Sequence, residues 1–92
     1  MTNTPGAPPV ILVTVRYFAA ARAAAGTESE TVTVPSGATV ADLIDTLAGR
    51  DTQLAAVLGR CSYLYDEIAV RDHTAALWPG GTIDVLPPFA GG

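Results

Sequence analysis

Few side chains in this sequence have the type and spacing to do chemistry. His73 is the only histidine. No metal-ligand or proton-relay partner stands near it, so it reads as a polar loop residue. Asp66-Glu67 is an adjacent acidic pair. Neighbours on a strand point to opposite faces, which rules out a shared acid–base task and favours a solvated turn. Cys61, the sole cysteine, has the chemistry to carry sulfur as a persulfide, but its apolar flanks make it a small buried hydrophobe. Gly80-Gly81 lacks the spacing and the lysine of a phosphate loop. That leaves Gly91-Gly92, where the sequence stops. A carboxylate carried on two residues without Cβ atoms can enter a narrow channel and be approached from most directions. From Pro87 to Gly92 such an arm, fully extended, reaches roughly 20 Å.

The residues before the glycines supply an anchor for the arm. Thr82 to Leu86 reads as a strand with Ile83 and Val85 inward and Leu86 outward. Pro87 and Pro88 stop it and stiffen the exit. Leu86, Pro87, Pro88 and Phe89 form an apolar run leaving the domain, with Phe18 on the outer face beside it. An exposed apolar patch next to a mobile arm is expected to meet a partner.

Composition limits the rest. Ninety-two residues allow one domain, 49% of them hydrophobic and 15% charged. One cysteine excludes an internal disulfide, a four-cysteine zinc site and an iron–sulfur cluster, so no metal site is expected. The arginines at 16, 22, 50, 60 and 71 are scattered and lysine is absent. There is no basic stripe for a phosphate backbone, and nucleic acid is not an expected partner. A net charge of −4 suits a partner with a basic docking face. Residues 1–9 lack a basic start and an apolar core and read as a disordered tail. The apolar stretch from Val10 is interrupted by Arg16 and Arg22, so no membrane span is expected. These features predict a cytoplasmic domain over residues 10–92, with a flexible arm at 87–92.

Within that domain, Ile11, Val13, Val15 and Tyr17 alternate with polar or outward positions, as in a half-buried strand, and Phe18 falls on its other face. Ala19 to Ala25 has high helix propensity and meets Gly26, a natural helix stop. Glu30, Val32 and Val34 mark a second strand ended by Pro35. Thr39 caps the strongest helix, with Val40, Leu43, Ile44 and Leu47 on one face, Asp42 in its first turn and Gly49 at its end. Asp51 to Gly59 reads as a weaker helical turn, and Tyr63 to Val70 as strand material around Asp66-Glu67. Trp78-Pro79-Gly80-Gly81 is a turn. The sum is an α+β roll: a small mixed sheet covered by one main helix, with additional short helical turns.

Three segments carry a family resemblance: Val15-Arg-Tyr-Phe-Ala19 with Arg22 and Gly26, the helix Thr39 to Leu47, and the tail Leu77 to Gly92. On these the chain resembles the ubiquitin-like β-grasp sulfur carriers, most closely those that serve as the small subunit of molybdopterin synthase. It departs from that pattern at Asp66-Glu67, where the family often has Val-Asn, and at Pro79-Gly80-Gly81, where the family has an acidic turn. The resemblance implies a β-grasp fold and no catalytic side chains of the chain's own. It implies that an E1-like adenylyltransferase/sulfurtransferase uses ATP to activate the Gly92 carboxylate, which then becomes a thiocarboxylate. The large synthase subunit would receive the arm, with Gly91 and Gly92 inside it and Phe18, Leu86, Pro87, Pro88 and Phe89 at its surface. No stably bound cofactor is implied. The alternatives are a carrier for cysteine or thiazole synthesis and a ubiquitin-related protein modifier.

Overall fold

The computed structural model describes residues 9–88. Strand β1 (Val10–Tyr17) alternates as its sequence predicts, with Val13, Val15 and Tyr17 buried. Helix α1 (Ala19–Ala25) follows directly and ends at Gly26, whose φ of 78° is the left-handed conformation that closes a helix. Strand β2 (Ser29–Pro35) returns antiparallel to β1, pairing Val13 with Val32 and Ile11 with Val34. Helix α2 (Val40–Ala48) starts with a reciprocal cap. Thr39 Oγ1 accepts from the Asp42 amide, and Asp42 Oδ2 accepts from the Thr39 amide.

The Asp51–Gly59 segment is more regular than its sequence suggests. It forms helix α3 (Thr52–Leu58), with the Asp51 carboxylate accepting from the amides of Gln53 and Leu54. Strands β3 (Ser62–Tyr65) and β4 (Ile68–Ala69) then form a hairpin turned by Asp66 and Glu67, both at positive φ. That geometry matches the right-handed twist of the flanking strands. Strand β5 (Thr82–Leu86) completes a mixed sheet in the order β2-β1-β5-β3-β4. It lies parallel to β1 and antiparallel to β3.

All three helices cover one face of this sheet. Ala21, Val40, Leu43, Leu47, Leu54 and Leu58 are buried against Val13, Val15, Val32, Val34, Tyr63, Tyr65, Ile83 and Val85 in one hydrophobic cluster. At the helix face's rim, Glu30 of β2 ties β1 to the turn that follows α2. Its carboxylate accepts from the Tyr17 hydroxyl at 2.7 Å and from Arg50 Nη1 at 2.8 and 2.9 Å. Burial pushes the Glu30 carboxyl up, but the Tyr17 and Arg50 hydrogen bonds and the Arg50 charge together bring it below its ordinary value. The carboxylate form is thus favoured by folding. Its contribution is complete above the ordinary carboxylate range and is lost as pH falls through that range toward the lowered folded value. Glu30→Gln should cost about 1 kcal/mol near neutral pH and flatten the acid limb of stability; denaturant titrations at neutral and acidic pH check both.

The connection from β4 to β5 crosses the start of α2. Carbonyls of His73 and Ala75 accept from the amides of Ala41 and Val40, so the helix's first amides are satisfied by this loop. His73 itself is exposed, and its ring meets the Tyr63 ring edge-on at 5.6 Å. The Tyr65 hydroxyl then closes the loop onto the sheet, donating to the Trp78 carbonyl and accepting from the Trp78 amide. Gly81 passes so close that a Cβ there would overlap the Tyr65 ring and hydroxyl.

Candidate docking site at the end of β5

Tyr17 and Val85 are paired where β1 and β5 both reach the same end of the sheet. At this end the Phe18 amide donates to the Val85 carbonyl at 3.2 Å, so Phe18 continues the β1 edge by one residue. The backbone turns sharply at Ala19, whose φ of 50° starts α1 on the helix side and leaves Phe18 behind on the open face. Phe18 is 39% exposed, large for an aromatic ring with no polar atom.

Phe18, Leu86, Pro87 and Pro88 come together here, as their sequence positions suggest. With Ala19, Ala20 and Ser62 they line a concavity of about 570 Å³ whose wall is mostly apolar. Leu86 and Pro87 are half-buried and Pro88 is exposed, so the chain leaves the sheet along this concavity. Phe89, Gly91 and Gly92 lie outside the described residues.

One residue of this face is not evident from the sequence. Asp84 alternates with Ile83 and Val85, which places it on the open face, yet it is only 5% exposed. Arg16 covers it: Nε donates to Oδ1 at 2.6 Å and Nη2 donates to Oδ2 at 2.8 Å. The Arg16 guanidinium also lies over the Phe18 ring, 5.6 Å from its centroid. Arg16 and Asp84 are direct partners in the parallel β1–β5 pairing. An Arg and an Asp at matched alternating positions were the available signal, but only the strand order reveals that they are neighbours. Asp66 and Glu67 add to this polar region, which forms a second hollow with Thr14 and Thr82. Asp66 is more than a solvated turn residue, for its carboxylate accepts from Trp78 Nε1 and from the Thr82 amide.

Cys61 is half-buried beside α3, and its thiol donates to the Val57 carbonyl. Burial pushes the thiol above its ordinary value, against a smaller opposing effect of Arg60, so the nucleophilic thiolate is disfavoured. If the chain is loaded with sulfur at its end, as the resemblance implies, Cys61→Ala should cost about 1 kcal/mol in stability and leave that loading unchanged. Intact mass after a reconstituted reaction checks this. A folded Cys61→Ala chain that accepts no sulfur would show that the thiol is required.

An apolar hollow beside the end of β5 offers a surface that a partner could cover, but it does not by itself identify the family. The ThiS family matches residues 15–92, from the last three residues of β1 through the other strands and the helices to Gly92. The chain belongs to the ThiS family. Among curated relatives of this ThiS-family chain, the molybdopterin synthase sulfur carrier subunit of Chlamydomonas reinhardtii is 30% identical over 81 residues, covering 87% of this chain and 98% of the relative. The protein of the same name from Homo sapiens is 31% identical over 86 residues, covering 91% and 98%. Among solved structures, the Haloferax volcanii HVO 2177 protein superposes with a TM-score of 0.79 at 30% identity, covering 90% of this chain and 88% of that one. SAMP1 from Haloferax volcanii, a small archaeal modifier protein, gives 0.77 at 27% identity, with 88% and 99% covered. The ThiS-family fold is the ubiquitin-like β-grasp, in agreement with the observed sheet order. No helix among the described residues is long and apolar enough to cross a membrane.

Proposed function

We propose that this chain is the sulfur-carrier subunit of a molybdopterin synthase. The observation that carries the reading is the near-complete coverage of two relatives of that name, with a family match that runs through the tail to Gly92. An E1-like enzyme uses ATP to convert the Gly92 carboxylate into an acyl-adenylate, since a free carboxylate is a poor electrophile and adenylate is a good leaving group. A sulfur donor then displaces the adenylate and leaves a thiocarboxylate. The large synthase subunit docks against the concavity formed by Phe18, Leu86, Pro87 and Pro88, receives the arm and holds the pterin precursor. The thiocarboxylate sulfur is a soft nucleophile suited to building a dithiolene. The chain contributes sulfur and a docking surface, while the acid–base residues belong to the large subunit.

The test is intact-mass measurement on protein purified from its own cells, together with reconstitution from the adenylating enzyme, ATP and a sulfur donor. The expected product is a chain heavier by the difference between sulfur and oxygen, which transfers that sulfur when the large subunit and precursor are added. A chain that loads sulfur and passes it only to a thiazole or cysteine precursor would move it to another branch of the same family.

The likeness to a small archaeal modifier protein is compatible with a second reading, in which Gly92 is joined by an amide bond to lysines of target proteins. This chain contains no lysine and so cannot link to itself through a side chain. Recovery of Gly92 in isopeptide-linked peptides from digested cell extracts would support the modifier reading.

A further inference from the structure

The Arg16–Asp84 pair is difficult to explain as a device for stability alone. The two strands are already joined by their backbone bonds, and their inner faces are held by the core. Taking a carboxylate out of water costs about what a well-formed pair returns, so an apolar pair of similar volume would serve folding about as well. The pair has a second consequence that an apolar pair would not have. A guanidinium gripped at two oxygens has a fixed plane, and here the fixed group lies over the face of Phe18.

Arg16 faces Asp84 across the two strands, and one step further along the same face Phe18 stands beside the end of β5, where Leu86 begins the concavity. An exposed phenylalanine has free rotamers to lose when a partner closes on it, and losing them weakens binding. A guanidinium held against one face of the ring limits that freedom in advance and leaves the ring edge and other face for the partner. Arg16 cannot do this reliably on its own, since its side chain is half-exposed. Asp84 takes up its Nε and Nη2 donors and thereby determines where it lies.

We propose that Asp84 is a positioning residue for docking: through Arg16 it holds the Phe18 ring in the orientation that the large subunit recognises. This rests on the docking reading given above, and it adds a residue that never touches the partner. Binding should therefore depend on Asp84 only while Phe18 is present.

The test is a double-mutant cycle on the full-length chain, with the large synthase subunit from the same organism as the binding probe and calorimetry as the readout. Asp84→Asn keeps the shape and loses the charge that fixes the guanidinium, and should weaken binding roughly three- to tenfold. Phe18→Leu should weaken it by at least as much. In the Phe18→Leu background the further effect of Asp84→Asn should fall to about twofold or less, because the residue it acts through is gone. A structural role alone would leave the two effects multiplying, and that result, or an Asp84→Asn chain that binds as tightly as the original, overturns the proposal. Arg16→Lys, which keeps the charge but not the fork, provides the same cycle if Asp84→Asn does not fold, and it should show the same coupling to Phe18. If the original chain does not bind the large subunit, the docking reading fails and this inference with it. If the original binds and Phe18→Leu weakens it while Asp84→Asn does not, only the positioning role fails.

Discussion

Deleting Gly92, or adding one residue after it, is expected to reduce sulfur loading to background, a loss of at least about a hundredfold, on the order of 3 kcal/mol or more in the barrier. In the proposed reaction adenylation acts on one carboxylate at one place, and shortening or lengthening the arm moves that carboxylate by about 3.5 Å. A misplacement of even 1 Å in a reacting group costs about a hundredfold. Stability should change by no more than about 0.5 kcal/mol, since the described core is complete at Val85, upstream of the arm. Intact mass after reconstitution reads the first quantity and thermal unfolding the second. Cells that carry only the truncated chain and still make normal amounts of molybdenum cofactor would refute the carrier reading.

Leu86→Asp should separate docking from folding just as sharply. Leu86 lines the concavity beside Phe18 and Pro87 and is half-buried in the free chain. In the proposed complex, the large subunit would cover a carboxylate with no partner of opposite charge. A buried unpaired charge costs about 3–5 kcal/mol, so affinity should fall by a hundredfold or more. In the free chain the carboxylate keeps access to water, and the expected loss is about 1–2 kcal/mol. Binding by calorimetry and unfolding by denaturant distinguish the two. Full retention of binding would place the docking surface elsewhere.

Local patterns made much of this architecture legible. The alternation from Ile11 to Tyr17 and the helical spacing of Val40, Leu43 and Leu47 are each set within one element, and the burial follows them. The Thr39–Asp42 cap is likewise a local exchange of hydrogen bonds. Helix α3 was harder to read because its short apolar run gives little period, and its order depends on the Asp51 cap and on Leu54 and Leu58 meeting the core. Asp66 and Glu67 read as a turn, but the grip of Asp66 on Trp78 and Thr82 arises only once the β4–β5 connection folds back.

The site divides along the same line. Leu86, Pro87 and Pro88 are contiguous, so their shared surface follows from sequence, and Phe18 joins them through the parallel pairing of β1 with β5. That pairing brings together residues 68 positions apart, which no local period encodes. Asp84 was hidden for the same reason: on its own strand it is an outward acidic residue, and only β1 supplies the arginine that covers it.

The placement of β5 also has a mechanical consequence. The strand that leads to the arm is flanked on both sides, by β1 and by β3. Tension applied along the arm, as when an enzyme draws it into a channel, runs along β5 and loads the backbone bonds of both neighbours together. Bonds loaded in shear share the force, whereas those of an edge strand peeled from its end break one after another. The end of β5 is thus an anchorage, since a load arriving there is shared by both neighbouring strands.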